Sequence, residues 1–428
     1  MKTFLFSLAL LVGLAGLCHA ADVPAPTAAP AQLKAGDTVL IVGDSITEQK
    51  MYSELIEDYL LMCKPVENLR VSQVGWSGER APGGLNRLQV TMLPFAPTVV
   101  TVCYGMNDGS YGPMNDGIGK TFRDAQSAIV EKFKAAGVHQ IVLGVGAVDS
   151  DTYHKSPEQA TMYNKTLGAL SDIDKEIADK QGVTFSDLHG TMVDVMGKAK
   201  TALGPTYDVC GGDGVHPGWD GHLIMAYAYL KGLGCDGNIG TITYDATAGT
   251  AEATAGHKVI SADKTEIKLE SSRYPFCFVA GDAKASNNTT SILPYLPFTQ
   301  DLNRFMLVVK NPTGKKLKVT WGNTSKVYDA DTAAKGINLA ADFLDNPFVA
   351  PFKKVHDGVN RQQNTEVSYY RDYFNALSHL STLLPSKDDQ DALDRMKGEL
   401  VTNIKANRDA TAALVVPVSY SIKVEAAE

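Results

Sequence analysis

A serine, a histidine and an aspartate in this sequence have the spacing that acyl transfer requires. Ser45 stands in the segment Gly43-Asp-Ser-Ile-Thr47, directly after a run of β-branched residues, and Asp213 lies three residues before His216. Ester hydrolysis through a serine needs a base within hydrogen-bond reach of the hydroxyl, and that base needs a carboxylate to fix its tautomer. We therefore predict Ser45 as nucleophile, His216 as base and Asp213 as the residue that orients the base.

Two glycine-containing motifs lie between these residues and could supply hydrogen-bond donors. Gly75-Trp-Ser-Gly78 contains glycines that let a backbone N–H approach a ligand closely, and Gly105-Met-Asn107-Asp108 offers a side-chain amide. Each motif alone is also compatible with an ordinary turn, since Asn and Asp readily form Asx-turns. Likewise, Gly-Asp-Ser turns are common and a histidine near a helix start is often structural. Only their joint order along the chain makes a site the stronger interpretation.

The elements between Asp37 and Cys235 predict a parallel sheet covered by helices. Short β-branched runs alternate with segments of helical periodicity, which is typical of βαβ units. In such a sheet, ligands bind at the carboxyl ends of the strands, where the four motifs fall. The predicted strands are 38–42, 69–74, 98–103, 140–145 and 183–187, and the clearest predicted helices are 52–61, 118–136 and 159–180.

The four motifs together resemble those of the SGNH hydrolase family, also called the GDSL-type esterases and lipases. The resemblance covers roughly residues 36–235 and rests on Gly43–Ser45, Gly78, Gly105–Asp108 and Asp213–His216. It implies a flavodoxin-like, three-layer αβα fold with a five-stranded parallel sheet and a metal-free, two-step ester hydrolysis. It also implies an oxyanion hole formed by the N–H groups of Ser45 and Gly78 and the side-chain amide of Asn107. The family's fourth motif is diffuse here, around 145–151, and no residue is assigned from it.

Other chemistries have little support in the sequence. There is no Gly-x-Ser-x-Gly elbow, no paired C-x-x-C, and no P-loop or dinucleotide fingerprint. His216 and His222 are six residues apart, which is not a helical metal-ligand spacing. We therefore predict no metal and no cofactor. Trp76 and Trp219 lie beside the proposed site residues and could flank a cleft for a sugar ring, although a tryptophan is more often part of a core.

Length, charge and the N-terminal segment bound the class of protein. The 428 residues suit two domains, and the net charge of −8 gives no electrostatic reason to bind nucleic acid or an anionic membrane. Residues 1–20 read as a signal peptide cleaved near Ala20, which predicts a secreted or periplasmic protein without a membrane anchor. A lipid anchor on Cys18 is the competing interpretation. Residues 21–35 are rich in Pro and Ala and predict a tether.

Five cysteines remain beyond the predicted signal peptide, so at least one thiol is unpaired. Cys210 and Cys235 bracket the Asp213–His216 segment, and export would permit a disulfide between them. Burial as small hydrophobic residues is at least as good an interpretation for Cys63 and Cys103. The five are Cys63, Cys103, Cys210, Cys235 and Cys277.

The pattern changes after residue 237. We predict a catalytic domain at 36–237 and a β-rich accessory domain at 238–428, with strands at 257–261, 266–271, 305–310, 316–321 and 413–424. Helices are predicted at 336–344, 374–384 and 390–406, the last two as a hairpin, and 282–291 is predicted as a loop. Tyr274, Phe276, Phe278 and Trp321 could equip a carbohydrate-binding module, but alternating aromatics in strands usually face a core.

These observations favour an exported serine esterase that removes O-acetyl groups from carbohydrates. A lipase-, lysophospholipase- or arylesterase-like hydrolase is the first alternative. A non-catalytic carbohydrate-binding or scaffold protein is the second. The sequence sets neither the acyl group, nor the alcohol, nor the oligomeric state.

Overall fold

The computed structural model describes residues 33–278 and 281–427. The predicted signal peptide at 1–20 and residues 21–32 of the predicted tether lie outside the described residues. Leu33, which falls within the predicted tether, is buried. In the described ranges, no helix is both long enough and apolar enough to cross a bilayer.

The first sheet is parallel and has five strands in the order β2-β1-β3-β4-β5. Strand β1 is central, and its residue Ile41 pairs with Gln73 on one side and Thr101 on the other. Val39 to Val42 are buried because helices cover both faces of the sheet. The predicted parallel sheet is confirmed. Its strands are β1 Thr38–Gly43, β2 Arg70–Gln73, β3 Val99–Cys103, β4 Gln140–Leu143 and β5 Thr184–Phe185.

Several helices of this α/β layer begin at a residue whose side chain caps a free N–H group. The Asn115 side chain accepts a hydrogen bond from Ile118 N, and Ser156 caps the next long helix just before Pro157. The helices are α1 Ser45–Glu48, α2 Met51–Asp58, α3 Ala81–Arg87, α4 Asp116–Ala135, α5 Pro157–Gln181, α6 Leu188–Leu203 and α7 Trp219–Gly232. Short π-helical segments, Tyr59–Cys63 and Leu88–Met92, extend α2 and α3.

Two further sheets follow α7 and face each other as a β-sandwich-like unit, as predicted. One sheet has the order β13-β10-β6-β7 and the other the order β12-β11-β14-β9-β8. The last strand of the chain is an interior strand, because β14 pairs antiparallel with both β9 and β11. The strands are β6 Asn238–Asp245, β7 Thr250–Ala253, β8 His257–Ala262, β9 Glu266–Ser271, β10 Arg304–Lys310, β11 Lys316–Trp321, β12 Thr324–Asp329, β13 Ile337–Asn338 and β14 Val418–Ala427.

Aromatic side chains fill the space between these two sheets. The ring of Trp321 lies 5.6 Å from that of Phe305 and 6.1 Å from that of Tyr420, measured between centroids. Trp321 and Tyr274 are fully buried, and Phe276 nearly so. The aromatics that could have formed a carbohydrate platform therefore pack in the core, which was the favoured interpretation.

The C-terminal helices differ from prediction in two respects. The hairpin is present as α12 and α13, but the 20-residue helix α11 that precedes it was not predicted. The predicted helix 336–344 contains only β13 and the four-residue α10, because Gly336, at φ +118°, starts an extended segment. The helices are α8 Phe298–Asp301, α9 Ala330–Lys335, α10 Leu339–Asp342, α11 Val349–Ser368, α12 Phe374–Leu383 and α13 Lys387–Ala412, with a π-helical segment Tyr369–Tyr373.

Helix α11 packs against α2 and so joins the C-terminal region to the α/β layer. The contact is polar as well as buried: Gln363 bonds to both Ser53 and Glu57, and Ser72 donates to Glu366 at 2.8 Å. Buried hydrophobic residues of both regions form one continuous core. The division of the chain into domains at 237/238 stays a prediction.

Candidate active site

Ser45 lies where β1 ends and the chain turns into α1. Its predecessor Asp44 is the N-cap residue, and the Asp44 side chain accepts a hydrogen bond from Ile46 N at 3.0 Å. A side chain at Gly43 would not fit, because its Cβ would lie 2.1 Å from Thr47 Oγ1 and 2.7 Å from Cys103 O. Gly43 thus allows this close turn, which leaves Ser45 partly exposed at the carboxyl edge of the sheet.

His216 and Asp213 meet Ser45 from the opposite end of the α/β region. His216 Nε2 lies 2.9 Å from Ser45 Oγ, although the two residues are 171 positions apart in the sequence. His216 Nδ1 lies 2.7 Å from Asp213 Oδ2. A hydroxyl, an imidazole and a carboxylate linked in this order can pass a proton from the hydroxyl to the imidazole while the carboxylate fixes the ring.

The hydrogen bonds of Asp213 hold its carboxylate in the ionised form. Asp213 Oδ1 accepts from the backbone N–H groups of Val215 and His216, each at 2.9 Å. Partial burial opposes ionisation, but these bonds and the His216 ring outweigh it and lower the pKa of Asp213. An ionised carboxylate at this position stabilises a protonated imidazole.

A neighbouring loop braces the Asp213–His216 turn. Asp149 N donates to Gly214 O at 2.9 Å, and Thr152 Oγ1 donates to Gly211 O at 3.0 Å. Gly214 has φ +76°, and a Cβ there would lie 2.3 Å from Tyr153 N. The loop includes part of segment 145–151, around which the family's fourth motif is diffuse in the sequence.

His222 ties α7, which follows His216, to the helices that follow Ser45. Its Nδ1 accepts from Tyr52 N at 3.2 Å and its Nε2 bonds to Gln49 Oε1 at 3.1 Å. Burial, followed by the nearby charge of His216, lowers the pKa of His222 to about 3. A neutral His222 therefore links the two segments that carry Ser45 and His216.

The two other predicted motifs lie beside Ser45. Trp76 N donates to Gly43 O at 3.1 Å, and Ser77 N donates to Glu48 Oε2 at 2.8 Å, which places the loop with Gly78 next to α1. Gly78 has φ +73° and is exposed. Its N–H makes no hydrogen bond to another residue in the described ranges. This N–H is therefore free to act as a donor to a ligand.

Asn107 points its amide nitrogen towards the residue next to the nucleophile. Asn107 Nδ2 donates to Glu79 O at 3.0 Å and to Asp44 Oδ2 at 3.2 Å. Asn107 Oδ1 accepts from Tyr111 OH at 2.8 Å. The family resemblance implies this amide as an oxyanion donor, and in the structure the amide nitrogen already faces two acceptors. The bond to Asp44 is the longer and thus the weaker of the two.

A buried ion pair fixes the Glu79 carbonyl to which Asn107 is bound. Glu79 and Arg87 make a two-pronged contact, with Arg87 Nη2 and Glu79 Oε2 2.7 Å apart. Arg87 also donates to Val74 O at 2.6 Å, and Tyr104 OH donates to Glu79 Oε2 at 2.6 Å. The pair holds the loop after β2 against its neighbours.

Two buried carboxyl groups in these motifs have raised pKa values. Burial, joined by the charges of Asp108 and Glu79, raises the pKa of Asp44 to about 7 against the opposing hydrogen bond from Ile46 N. Burial likewise raises the pKa of Asp108 to about 6, opposed by bonds from Ala81 N and Gly105 N at 2.9 and 3.0 Å. The bonds of Asp108 join the loops after β2 and β3.

The two tryptophans predicted to flank a cleft are partly buried. The guanidinium groups of Arg371 and Arg87 lie 4.6 and 5.3 Å from the Trp76 ring centroid. Trp219 meets His356 edge-on at 5.8 Å between ring centroids. Arginines therefore cover part of the Trp76 ring, and substrate contact by either indole stays a prediction.

Three contributors to the surroundings of the site escaped sequence reasoning. Arg371 of the C-terminal region pairs with Glu48 at 2.5 Å, His356 contacts α2, and Tyr111 binds Asn107. The first two come from residues about 300 positions away from their partners in the sequence, and no local pattern signals such a pairing. Tyr111 is four residues beyond Asn107, and its position next to a predicted motif was the one signal available.

The predictions about thiols and metals can be set against the described residues. All five cysteines in the described part of the chain are buried and free, so Cys210 and Cys235 form no disulfide. Cys210 Sγ instead contacts Ala147 O at 3.3 Å. Within residues 33–278 and 281–427 no group of three or more His, Cys, Asp or Glu side chains could hold a metal ion.

The α/β region of the chain, which carries Ser45 and His216, matches a known protein family. The model of the GDSL-like lipase/acylhydrolase family matches residues 41–224. No curated protein sequence matches the chain.

Some solved structures match nearly the whole chain, and others match about half of it. A gut microbial diltiazem-metabolizing enzyme shares 21% identity at a TM-score of 0.68, with 92% of this chain and 98% of that chain covered. An acetylxylan esterase from Geobacillus stearothermophilus shares 19% identity at a TM-score of 0.39, covering 48% of this chain and 97% of its own. A lipase/acylhydrolase from Enterococcus faecalis shares 18% identity at a TM-score of 0.37, with 46% and 94% covered. The first of these shares the fold of both regions.

Proposed function

We propose that the chain works as a carboxylic ester hydrolase through an acyl-enzyme on Ser45, and the match of residues 41–224 to the model of the GDSL-like lipase/acylhydrolase family supports this proposal. The observation that carries the proposal is the unbroken contact from Asp213 through His216 to Ser45 Oγ, at 2.7 and 2.9 Å. Asn107 Nδ2, which contacts Asp44 beside the nucleophile, and the Gly78 loop, which contacts Gly43 and Glu48, support it.

In the first step, Ser45 Oγ attacks the acyl carbon and His216 Nε2 takes the hydroxyl proton. The tetrahedral intermediate places its negative oxygen near the N–H groups of Ser45 and Gly78 and near Asn107 Nδ2. It collapses as His216 returns the proton to the departing alcohol, leaving an ester on Ser45. Water then attacks this ester with His216 as base, and the acid and the free serine are released.

We propose an O-acetylated carbohydrate as the substrate. A groove of about 290 Å³ that reaches Asp108, the residue after Asn107, has a mixed lining in which Ile118 and Phe122 are apolar and the polar side chains are those of Arg80, Asp108, Ser110, Asn115 and Thr121. Polar side chains of this kind suit an oxygen-rich alcohol better than an alkyl chain. The Pro/Ala-rich segment and the apolar run before it support export, which would bring the enzyme to extracellular polysaccharide.

A small synthetic ester is the second candidate substrate. The gut microbial enzyme that metabolizes diltiazem has the same fold over both regions of the chain. Diltiazem therefore belongs beside acetylated xylan, acetylated monosaccharides and lysophospholipids in a first substrate panel.

Labelling with a fluorophosphonate, followed by mass mapping, tests the mechanism without a choice of substrate. We expect one modified serine, Ser45, and no labelling in Ser45→Ala. Ser53→Ala is the matched control, because Ser53 is a buried serine on α2 whose hydroxyl bonds to Gln363. Labelling of Ser45→Ala at the wild-type rate would overturn the assignment of the nucleophile.

An acyl-chain series then tests the substrate class. We expect p-nitrophenyl acetate to react faster than the butyrate and octanoate esters, and acetylated sugars to release acetate. Faster turnover of octanoate or lysophospholipid, without acetate release from sugars, would favour the lipase-like alternative. Export is tested separately by N-terminal sequencing of the mature protein, which should begin at Ala21.

A further inference from the structure

Tyr111 contacts the proposed oxyanion donor directly and has no place in the four sequence motifs. Its hydroxyl donates to Asn107 Oδ1 at 2.8 Å. Its ring stacks on Tyr163, with centroids 5.3 Å apart and ring planes at 23°. The side chain is nevertheless 43% exposed. Tyr111 is therefore held at both its ring and its hydroxyl although it lies at the surface.

The backbone around Tyr111 adopts an unfavourable conformation to bring it there. Ser110 and Tyr111 have φ +57° and +55°, in the left-handed region that side chains with a Cβ avoid. The turn is closed by Ser110 N donating to Asn107 O at 3.1 Å and by Thr166 Oγ1 donating to Gly112 O at 2.8 Å. Backbone strain of this kind tends to occur at functional sites, where the surrounding structure enforces it.

The contacts of Asn107 explain why its amide needs support. Asn107 Nδ2 already faces two acceptors, and an oxyanion must compete with Asp44 Oδ2 for one of its hydrogens. A hydrogen bond donated to the amide oxygen draws electron density from the nitrogen and makes its N–H a stronger donor, because linked hydrogen bonds polarise one another. Tyr111 OH supplies such a bond.

We propose that Tyr111 is a positioning residue for ester hydrolysis: through its hydroxyl it orients and polarises the Asn107 amide towards the oxyanion. This inference rests on the proposed function, in which Asn107 stabilises the tetrahedral intermediate. The contribution is made in the transition state, so it acts on kcat rather than on substrate affinity.

A double-mutant cycle with Tyr111→Phe and Asn107→Ala tests this role, using p-nitrophenyl acetate and counting active sites with a fluorophosphonate. Tyr111→Phe retains the stacked ring and removes one neutral hydrogen bond. We expect kcat per labelled serine to fall about tenfold and KM to stay within about twofold. Asn107→Ala should lower kcat by about 10²- to 10³-fold. Adding Tyr111→Phe to Asn107→Ala should then cause no further loss.

The control is Tyr328→Phe, which removes a hydroxyl that donates to Asp342 at 2.8 Å in the C-terminal region. It should leave kcat unchanged. Equal fold-losses from Tyr111→Phe with and without Asn107, or a change in thermal stability alone, would show that Tyr111 is merely structural and overturn the inference. A normal kcat in Asn107→Ala would instead remove the oxyanion role of Asn107, on which the inference depends. Failure to label Ser45 in the wild type would refute the proposed function itself.

Discussion

Neutralising His356 probes how the C-terminal region is attached to the helix that follows the nucleophile. His356 Nδ1 lies 2.7 Å from Asp58 Oδ2, and its Nε2 lies 3.9 Å from Glu54 Oε2, both on α2. Burial disfavours the imidazolium, but the charge and hydrogen bond of Asp58 and then the charge of Glu54 outweigh burial. Together they raise the pKa of His356 from 6.5 to about 9.

The sign and size of the effect follow from this shift. A histidine whose folded-state pKa lies above its unfolded value stabilises the fold fully below pH 6.5. That contribution is lost as the pH rises through about 9. One pKa unit corresponds to about 1.4 kcal/mol, so the contribution is up to about 3 kcal/mol. The His356 side chain is only 19% exposed, so solvent screening reduces this value little.

Two measurements check the expectation. The ring Cε1 resonance that disappears in His356→Gln should titrate in the wild type near pH 9. In urea unfolding, the wild type should exceed His356→Gln in stability at pH 6, and the difference should shrink by up to about 3 kcal/mol on going to pH 10. His379→Gln, at an exposed position on α12, is the matched control. Its stability should depend on pH between 6 and 10 in the same way as that of the wild type.

A His356 resonance that titrates at or below pH 6.5 would contradict this prediction. The same dependence of stability on pH between 6 and 10 in His356→Gln and wild type would contradict it as well. Either result would mean that Asp58 and Glu54 carry protons in place of the histidine.

Three further predictions concern the site and its support. Asp213→Asn should lower kcat by about 10- to 10³-fold, measured with p-nitrophenyl acetate. The expected loss is smaller than the roughly 10⁴-fold loss for a buried triad aspartate, because the Asp213 side chain is 55% exposed. An unchanged kcat would remove Asp213 from the mechanism. Arg371→Leu breaks the 2.5 Å pair with Glu48, and Glu48 also holds the Gly78 loop by accepting a hydrogen bond from Ser77. We therefore expect kcat to fall a few-fold. A kcat equal to that of the wild type would show that this contact does not influence the loop. Trp321→Ala empties a fully buried site and should destabilise the fold by about 3–5 kcal/mol in urea unfolding, while kcat at 25 °C stays near wild type; a loss below 1 kcal/mol would contradict the packing argument.

The parallel sheet and its motifs were predictable because their signals are local. Buried parallel strands read as runs of β-branched residues, and helices show the 3.6-residue period. The turn after β1 needs Gly43, since a Cβ would collide with Thr47 and Cys103. The C-terminal strand was predictable for the same reason, since Val418–Ala427 alternates buried and exposed residues. Helix α11 was missed because polar residues such as Gln362, Gln363 and Glu366 face its buried side.

The sequence by itself therefore determined which residue types stand at the carboxyl ends of the strands, and in what order, because strand and turn propensities depend on near neighbours. Only the tertiary structure decided that Ser45 and His216 meet at 2.9 Å, that Asn107 already binds Asp44, and that Arg371 reaches Glu48. Contacts between residues distant in sequence depend on how whole elements pack, and packing is set by the summed burial and hydrogen bonding of the chain rather than by any local pattern.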